Sequence, residues 1–314
     1  MISVILPTYN GSDYLADALQ SVLAQRDVVF EVVAVDDAST DGTPELLAAC
    51  TDPRLKWWQN VRRLGIGGNW NAGLAYARGT YLSWFHQDDV MFSGSLARKA
   101  AFLDAHPEVG MVFSNARLLD AQGVDAGVLF DPRAEPGETI WPVGAFVDLL
   151  LFAPENPVCC PSVMVRRKCL EEVGSFREDL PFTLDLDMWL RLADRFAVAR
   201  LGEPLLGYRR HQAQETARIS HMRRQGEEWR AKREYVKAGS GSSVVRRLRM
   251  GRLRALYGHR GWMSAYTNAL AMSWPEYWRS LWLGIRGYPL GLLDGTGFGV
   301  VRRTILRFTR GVGR

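Results

Sequence analysis

The chain is poor in cysteine and histidine and has no long uncharged apolar run. Its 314 residues include four cysteines, Cys50, Cys159, Cys160 and Cys169. None has the Cys-x-x-Cys spacing of a zinc site, and an adjacent pair suits a disulfide framework poorly. A reducing compartment is the expected setting. A spanning helix needs about 18 uncharged residues, and Arg279, Arg286 and Asp294 interrupt the apolar C-terminal part. Strand-like residues begin at Ile2, without the basic, apolar and small-residue order of a signal peptide. There is no P-loop lysine motif. The cluster Gly65-Ile-Gly-Gly68 fails as a dinucleotide fingerprint, because Trp70 stands where the third glycine belongs and the cluster does not follow the first strand.

What is present is enough apolar content, 47%, for one large domain or a domain with an appendage. The charge is divided unevenly. From Met1 to Tyr208 there are 17 Lys and Arg against 28 Asp and Glu; from Arg209 to Arg314 there are 22 against 6. An acidic first part and a basic tail imply two jobs, the tail facing an anionic surface. We therefore expect a first domain over 1–215. A basic, aromatic-rich helical extension follows over 216–314. Within the extension, Val301, Ile305 and Phe308 share a helical face, with Arg303, Arg307 and Arg310 largely opposite, the pattern of a helix in a membrane interface. A solvated helical cap would explain the same pattern.

In chain order, Ile2–Pro7 reads as a buried parallel strand and Tyr14–Gln25 as a helix with apolar residues at helical period. Phe30–Val35 is a second strand ending at Asp36-Asp37, and Thr43–Ala49 a short helix. This is a βαβ unit. Leu55–Gln59 is a strand, Gly65–Gly68 a flexible link, and Asn69–Ala77 a helix. Helices are expected at Leu96–Ala105, Arg167–Val173 and Asp185–Leu192, and strands at Met111–Ser114, Ser162–Val165, Ala197–Leu201 and Leu205–Arg209. Residues 120–142 read as an excursion. The fold class is α/β, a mostly parallel central sheet flanked by helices.

The stretch Tyr81–Asp89 reads as a buried strand running into polar residues. On an extended backbone His86 and Asp88 point one way, Gln87 and Asp89 the other. An imidazole and a carboxylate at a strand end suit a divalent cation, and ligands of open α/β sheets sit at the carboxyl ends of strands. Taken alone, Asp88 and Asp89 are better explained by a turn or a helix N-cap; it is the rest of the chain that moves the balance toward a cation site.

Five stretches then line up in order: Val4–Asn10, Val35–Gly42, Tyr81–Asp89, Asp185–Arg191 and Tyr208–His211. Together they resemble the inverting family 2 glycosyltransferases of the GT-A fold, of the bacterial polysaccharide and O-antigen type, over about the first 220 residues. The resemblance implies transfer of a sugar from a UDP- or dTDP-sugar to a glycan or lipid-linked acceptor, with a Mn²⁺ or Mg²⁺ ion. It implies that the first domain is catalytic, with a nucleotide-sugar half to about 115 and an acceptor half over about 116–215, and that Pro7, Thr8, Tyr9, Asp36, Asp37, Asn71, Gln87 and Asp88 hold the nucleotide sugar. Asp88, His86 and His211 would hold the metal, and Asp185 would be the general base. His86 departs from the usual Asp-x-Asp pattern, and Trp70 stands where many members have arginine. Asp187 is expected to pair with Arg191, Trp189 to be core, and Arg209 and Arg210 to meet phosphate or belong to the tail. The implied setting is the cytoplasmic face of the cell membrane. A sugar-phosphate nucleotidyltransferase lacks support, since Thr8-Tyr-Asn-Gly-Ser12 is not its Gly-rich, Arg-containing loop. Two non-enzymatic roles compete with these: nucleic-acid binding by the tail, and a relative of the family that binds without catalysis.

Overall fold

The computed structural model describes residues 1–129, 137–153, 155–215, 220–239, 241–270 and 282. The chain divides into two compact units, Met1–Ile219 and Ser220–Arg314.

The first unit begins with β1 (Ile2–Thr8), α1 (Leu15–Leu23), β2 (Phe30–Asp36), α2 (Thr43–Ala49), β3 (Leu55–Gln59), α3 (Gly65–Tyr76) and β4 (Tyr81–Trp84). β2 and nearly all of β1 are buried along their whole length, as unbroken apolar runs require when helices cover both faces. β1 lies parallel between β2 and β4, with Ile2 beside Phe30 and Tyr81. α1 buries Leu15, Ala18, Leu19 and Val22, its apolar stripe. Close packing on β1 depends on two glycines. A Cβ at Gly73 of α3 would lie 2.6 Å from Ile5 Cγ2, and one at Gly79 would lie 2.4 Å from the backbone nitrogen of Ser3.

The chain continues through β5 (Val90–Met91), α4 (Ser95–Ala105), β6 (Val109–Leu119), β7 (Asp125–Val128), β8 (Glu138–Trp141), α5 (Val147–Phe152), β9 (Met164–Arg166), α6 (Arg167–Val173), α7 (Leu184–Arg195) and β10 (Ala197–Arg209). The sheet runs β3-β2-β1-β4-β9-β6-β10-β5, with β7 on β6 and β8 on β10. Its longest registers, β1–β2 and β6–β10, are parallel. β9 is antiparallel to both β4 and β6. This is the mixed, mostly parallel sheet flanked by helices that the pattern predicts. Trp84, Trp189 and Phe176 are fully buried and meet edge to face behind β4, so Trp189 is core.

The structure corrects several local expectations. Gly65–Gly68 is not a flexible link but the first turn of α3. The backbone N–H groups of Leu64 and Gly65 donate to the Asp37 carboxylate at 2.7 and 2.9 Å, so an acid from another element satisfies the helix start. The excursion at 120–142 contributes β7 and β8 to the sheet. The two strands expected at 197–209 are one strand, β10, whose register slips around Pro204, a residue with no N–H to pair.

In the second unit, Ser220 caps α8 (His221–Ala238), and α9 spans Ser243–Leu270. Buried Lys232 donates to Glu228 at 2.6 Å, and its ammonium lies over the Tyr257 ring of α9. The interfacial helix expected around 300–310 lies outside the described residues.

One buried cation is costly. Lys99 of α4 is fully buried and its Nζ has no hydrogen-bond partner among the described residues. Burial pulls its ammonium down to about 7. An unfolded lysine keeps its proton to about pH 10, so between about 7 and 10 the unfolded chain binds more protons and stability rises with pH. Below pH 7 both states are charged and the burial penalty is complete, on the order of 4 kcal/mol. Lys99→Met, which removes the charge at similar volume, is expected to raise stability in urea unfolding at pH 6. That gain should shrink steadily toward pH 10.

Candidate active site

A cleft of about 300 Å³ opens where β1, β2 and β4 end. Of the residues expected at the site, Pro7, Thr8, Tyr9, Asp37, His86, Gln87, Asp88, Asp185 and His211 line it. Such a strand-end position is where open α/β sheets hold ligands.

The end of β1 is clamped by a side chain. The Gln87 amide accepts from the Tyr9 N–H at 2.9 Å and donates to the Tyr9 carbonyl at 3.0 Å. A Cβ at Gly11 would fall 2.2 Å from this amide, so glycine there leaves room for the clamp. The Arg63 guanidinium lies 4.0 Å from the Tyr9 ring centroid and meets Glu215 at 3.1 Å. Asp37 lines the cleft while holding the start of α3.

Two expected residues are turned elsewhere. Asp36 is wholly buried, and its carboxylate accepts from Thr8 Oγ1, the Ser39 N–H and hydroxyl, and Gln59 Nε2. It fixes the β2 turn rather than facing the cleft. Asn71 accepts from the Phe176 N–H and donates to the Phe176 carbonyl, bracing the segment before α7.

His86–Asp89 is a turn, not an extended strand end. β4 stops at Trp84, and the Asp89 N–H reaches back to the His86 carbonyl. The strict alternation expected there therefore fails. Ligand atoms of His86, Asp88 and Asp89 all lie within 4.8 Å of one another, so Asp89 joins the group instead of turning away with Gln87. The backbone N–H of Arg209 donates to Asp89 Oδ1 at 3.0 Å. Asp89 Oδ2 and His86 Nε2 are buried without a hydrogen-bond partner among the described residues. His211 Nε2 meets Asp88 Oδ2 at 3.0 Å.

The electrostatics follow from this crowding. Burial, with Asp88 beside it, pushes the Asp89 carboxyl well above the usual range. Burial also opposes ionisation of Asp88, but the His211 hydrogen bond and the neighbouring imidazoles hold its carboxyl below the usual value. Burial lowers His86, favouring the neutral ring that can ligate a metal. Two adjacent carboxylates, an orphaned oxygen and an orphaned imidazole nitrogen fit a divalent cation, which would satisfy both atoms and remove the repulsion.

Arg209 emerges as a brace that the sequence did not distinguish from phosphate contact or tail. Besides its backbone bond to Asp89, its Nε donates to the Asp88 carbonyl at 2.9 Å and its Nη2 to Asp17 at 3.0 Å. Asp185 stands in the first turn of α7. Its Oδ2 accepts from Asn156 Nδ2 at 3.1 Å, a contact between residues 29 apart that no spacing rule reveals. Asp187, two residues on, pairs with Arg191 at 2.9 Å.

The fold is α/β with a cleft at the ends of its strands, and the relatives say which family it belongs to. The family model for Glycosyl transferase family 2 matches residues 3–174. An uncharacterised Mycobacterium tuberculosis protein, MT1568, is 33% identical over 229 residues, 71% of this chain and 72% of its own length. The chain belongs to glycosyltransferase family 2. The succinoglycan biosynthesis protein ExoO of Rhizobium meliloti is 39% identical over 104 residues, 33% of this chain and 30% of its own length. Among solved structures, S. aureus TarS 1-349 in complex with UDP-GlcNAc superposes with a TM-score of 0.70 at 20% identity, over 99% of this chain and 92% of that one.

Mn²⁺ titration calorimetry tests the cation group directly. Asp88→Ala and His86→Ala are expected to abolish the binding isotherm. Asp187→Ala, which removes a partner of Arg191 and Arg177 away from the cation group, should leave it unchanged.

Proposed function

We propose that the protein is an inverting glycosyltransferase moving a sugar from a UDP- or dTDP-sugar to a hydroxyl of a glycan or lipid-linked acceptor. One observation carries this reading: a single cleft gathers the ends of β1 and β2, the His86–Asp89 turn and the Asp185 carboxylate. The UDP-GlcNAc complex of TarS and the succinoglycan role of ExoO are consistent with donor and acceptor of these classes.

Each group then has a task. Pro7, Thr8, Tyr9 and Asp37 border the nucleoside end of the cleft. His86, Asp88 and Asp89 would hold the divalent cation, with His211 on Asp88; when bound, that ion supplies positive charge to the leaving diphosphate. Asp185 accepts the proton of the acceptor hydroxyl as that oxygen attacks the anomeric carbon. One displacement from the face opposite the leaving group inverts the centre. Asp185→Asn, which keeps size but not basicity, should lower transfer at least about 100-fold while calorimetry still detects nucleotide binding. A wild-type rate would remove Asp185 from this role.

The site of action in this reading is the cytoplasmic membrane face, reached peripherally. No helix among the described residues is long and apolar enough to cross a membrane. α9 contains Arg246, Arg247, Arg249, Arg252, Arg254 and Arg260 and no acidic residue. Val244 and Leu248, on one face near its start, are 58% and 65% exposed. Arginines beside bare apolar side chains favour anionic lipid over nucleic acid, which offers no apolar interior. The protein should sediment with phosphatidylserine vesicles but not with neutral ones, and Leu248→Glu should weaken that binding. Equal binding to RNA at matched salt would favour the other partner.

A further inference from the structure

We infer that Asn156 is a positioning residue for Asp185, fixing the direction of the carboxylate and keeping it ionised. This rests on the reading of Asp185 as the base. Asn156 is not among the cleft-lining side chains, so it acts through the acid.

The geometry is specific. The Asn156 carbonyl oxygen accepts from the Val158 N–H at 3.1 Å. That bond decides which end of the amide is which and turns the NH₂ toward Asp185 Oδ2, 3.1 Å away. Asp185 Oδ1 meanwhile accepts from the Leu186 N–H at 2.7 Å. The two carboxylate oxygens are thus tied to different parts of the fold, one to α7 and one to the loop over 156–162. The terminal torsion of a carboxylate is intrinsically broad, and a tie at each oxygen narrows it.

The loop is stiff enough to act as an anchor. Pro157 and Pro161 restrict it, and Val158, Cys159 and Cys160 are buried. The Ser162 hydroxyl donates to the Cys159 carbonyl at 2.7 Å, closing the loop on itself. Cys160 borders the cleft, so one short segment both walls the site and orients its acid. An N–H aimed at a carboxylate favours the charged form, and a general base must be charged to take a proton.

The test compares Asn156→Ala and the nearly isosteric Asn156→Asp with wild type; the second variant serves if the first does not fold. Infrared difference spectra against Asp185→Asn follow ionisation of the carboxylate without substrate. Ionisation should move to higher pH in Asn156→Ala by about half a unit to one unit, and further in Asn156→Asp, where a second anion faces the first. With the nucleotide sugar that turns over fastest in a UDP- and dTDP-sugar panel, kcat should fall about tenfold, its acid limb moving in parallel while donor affinity stays constant. Unchanged ionisation with unchanged kcat overturns the inference. So does a fall in kcat without movement of the acid limb, which marks a structural role only. If Asp185→Asn itself keeps the wild-type rate, the base reading fails; if it is inactive while both Asn156 variants behave as wild type, only this inference fails.

Discussion

The site depends on keeping two neighbouring carboxylates, Asp88 and Asp89, together out of water. Like charges so placed repel, and burial adds a further cost. The protein answers with Arg209, whose backbone N–H serves Asp89 and whose guanidinium spans the Asp88 carbonyl and Asp17. Tyr14 lies against both this guanidinium and the His211 ring. α1, the β4 turn and the end of β10 are therefore one mechanical unit around the cation group. The orphaned Asp89 oxygen and His86 nitrogen are what such a unit leaves for a ligand to satisfy.

Around that unit, the cleft is built from side chains that hold backbone in place. Gln87 grips Tyr9, Asp37 holds the start of α3, and Asp36 closes the turn after β2. These are polar residues at strand ends, where a parallel sheet leaves peptide groups unpaired. The same residues that a sequence reading assigns to substrate thus first satisfy the protein's own backbone.

Much of this was legible in the sequence. Unbroken apolar runs give β1 and β2, and helical spacing gives α1 and α7 their buried faces. The cleft residues Thr8, Asp37, Asp88, Asp185 and His211 were reached through an ordered set of motifs that resembles the family. What was missed is partly local and mostly non-local. The turn at His86–Asp89, one of the readings the residues themselves offered, reverses the facing of Asp89, because alternation holds only while the backbone stays extended. Asp36 and Asn71 look like ligand contacts from motif position, yet their partners Ser39, Gln59 and Phe176 come from backbone paths that periodicity does not encode. The two-residue β5 is too short to show any period. The Asn156–Asp185 and Arg209–Asp89 bonds join residues 29 and 120 positions apart.

That last separation bears on how the protein is made. β1 to β4 can pair as soon as the chain through Trp84 has left the ribosome, because their partners are close in sequence. The amide that caps Asp89 arrives 120 residues after it, with the last strand of the unit. Until then a nascent chain carries the acidic turn without its Arg209 contacts. In the proposed reading, the group that would hold the cation therefore gains its Arg209 brace late in translation, after the strands that floor the cleft have paired.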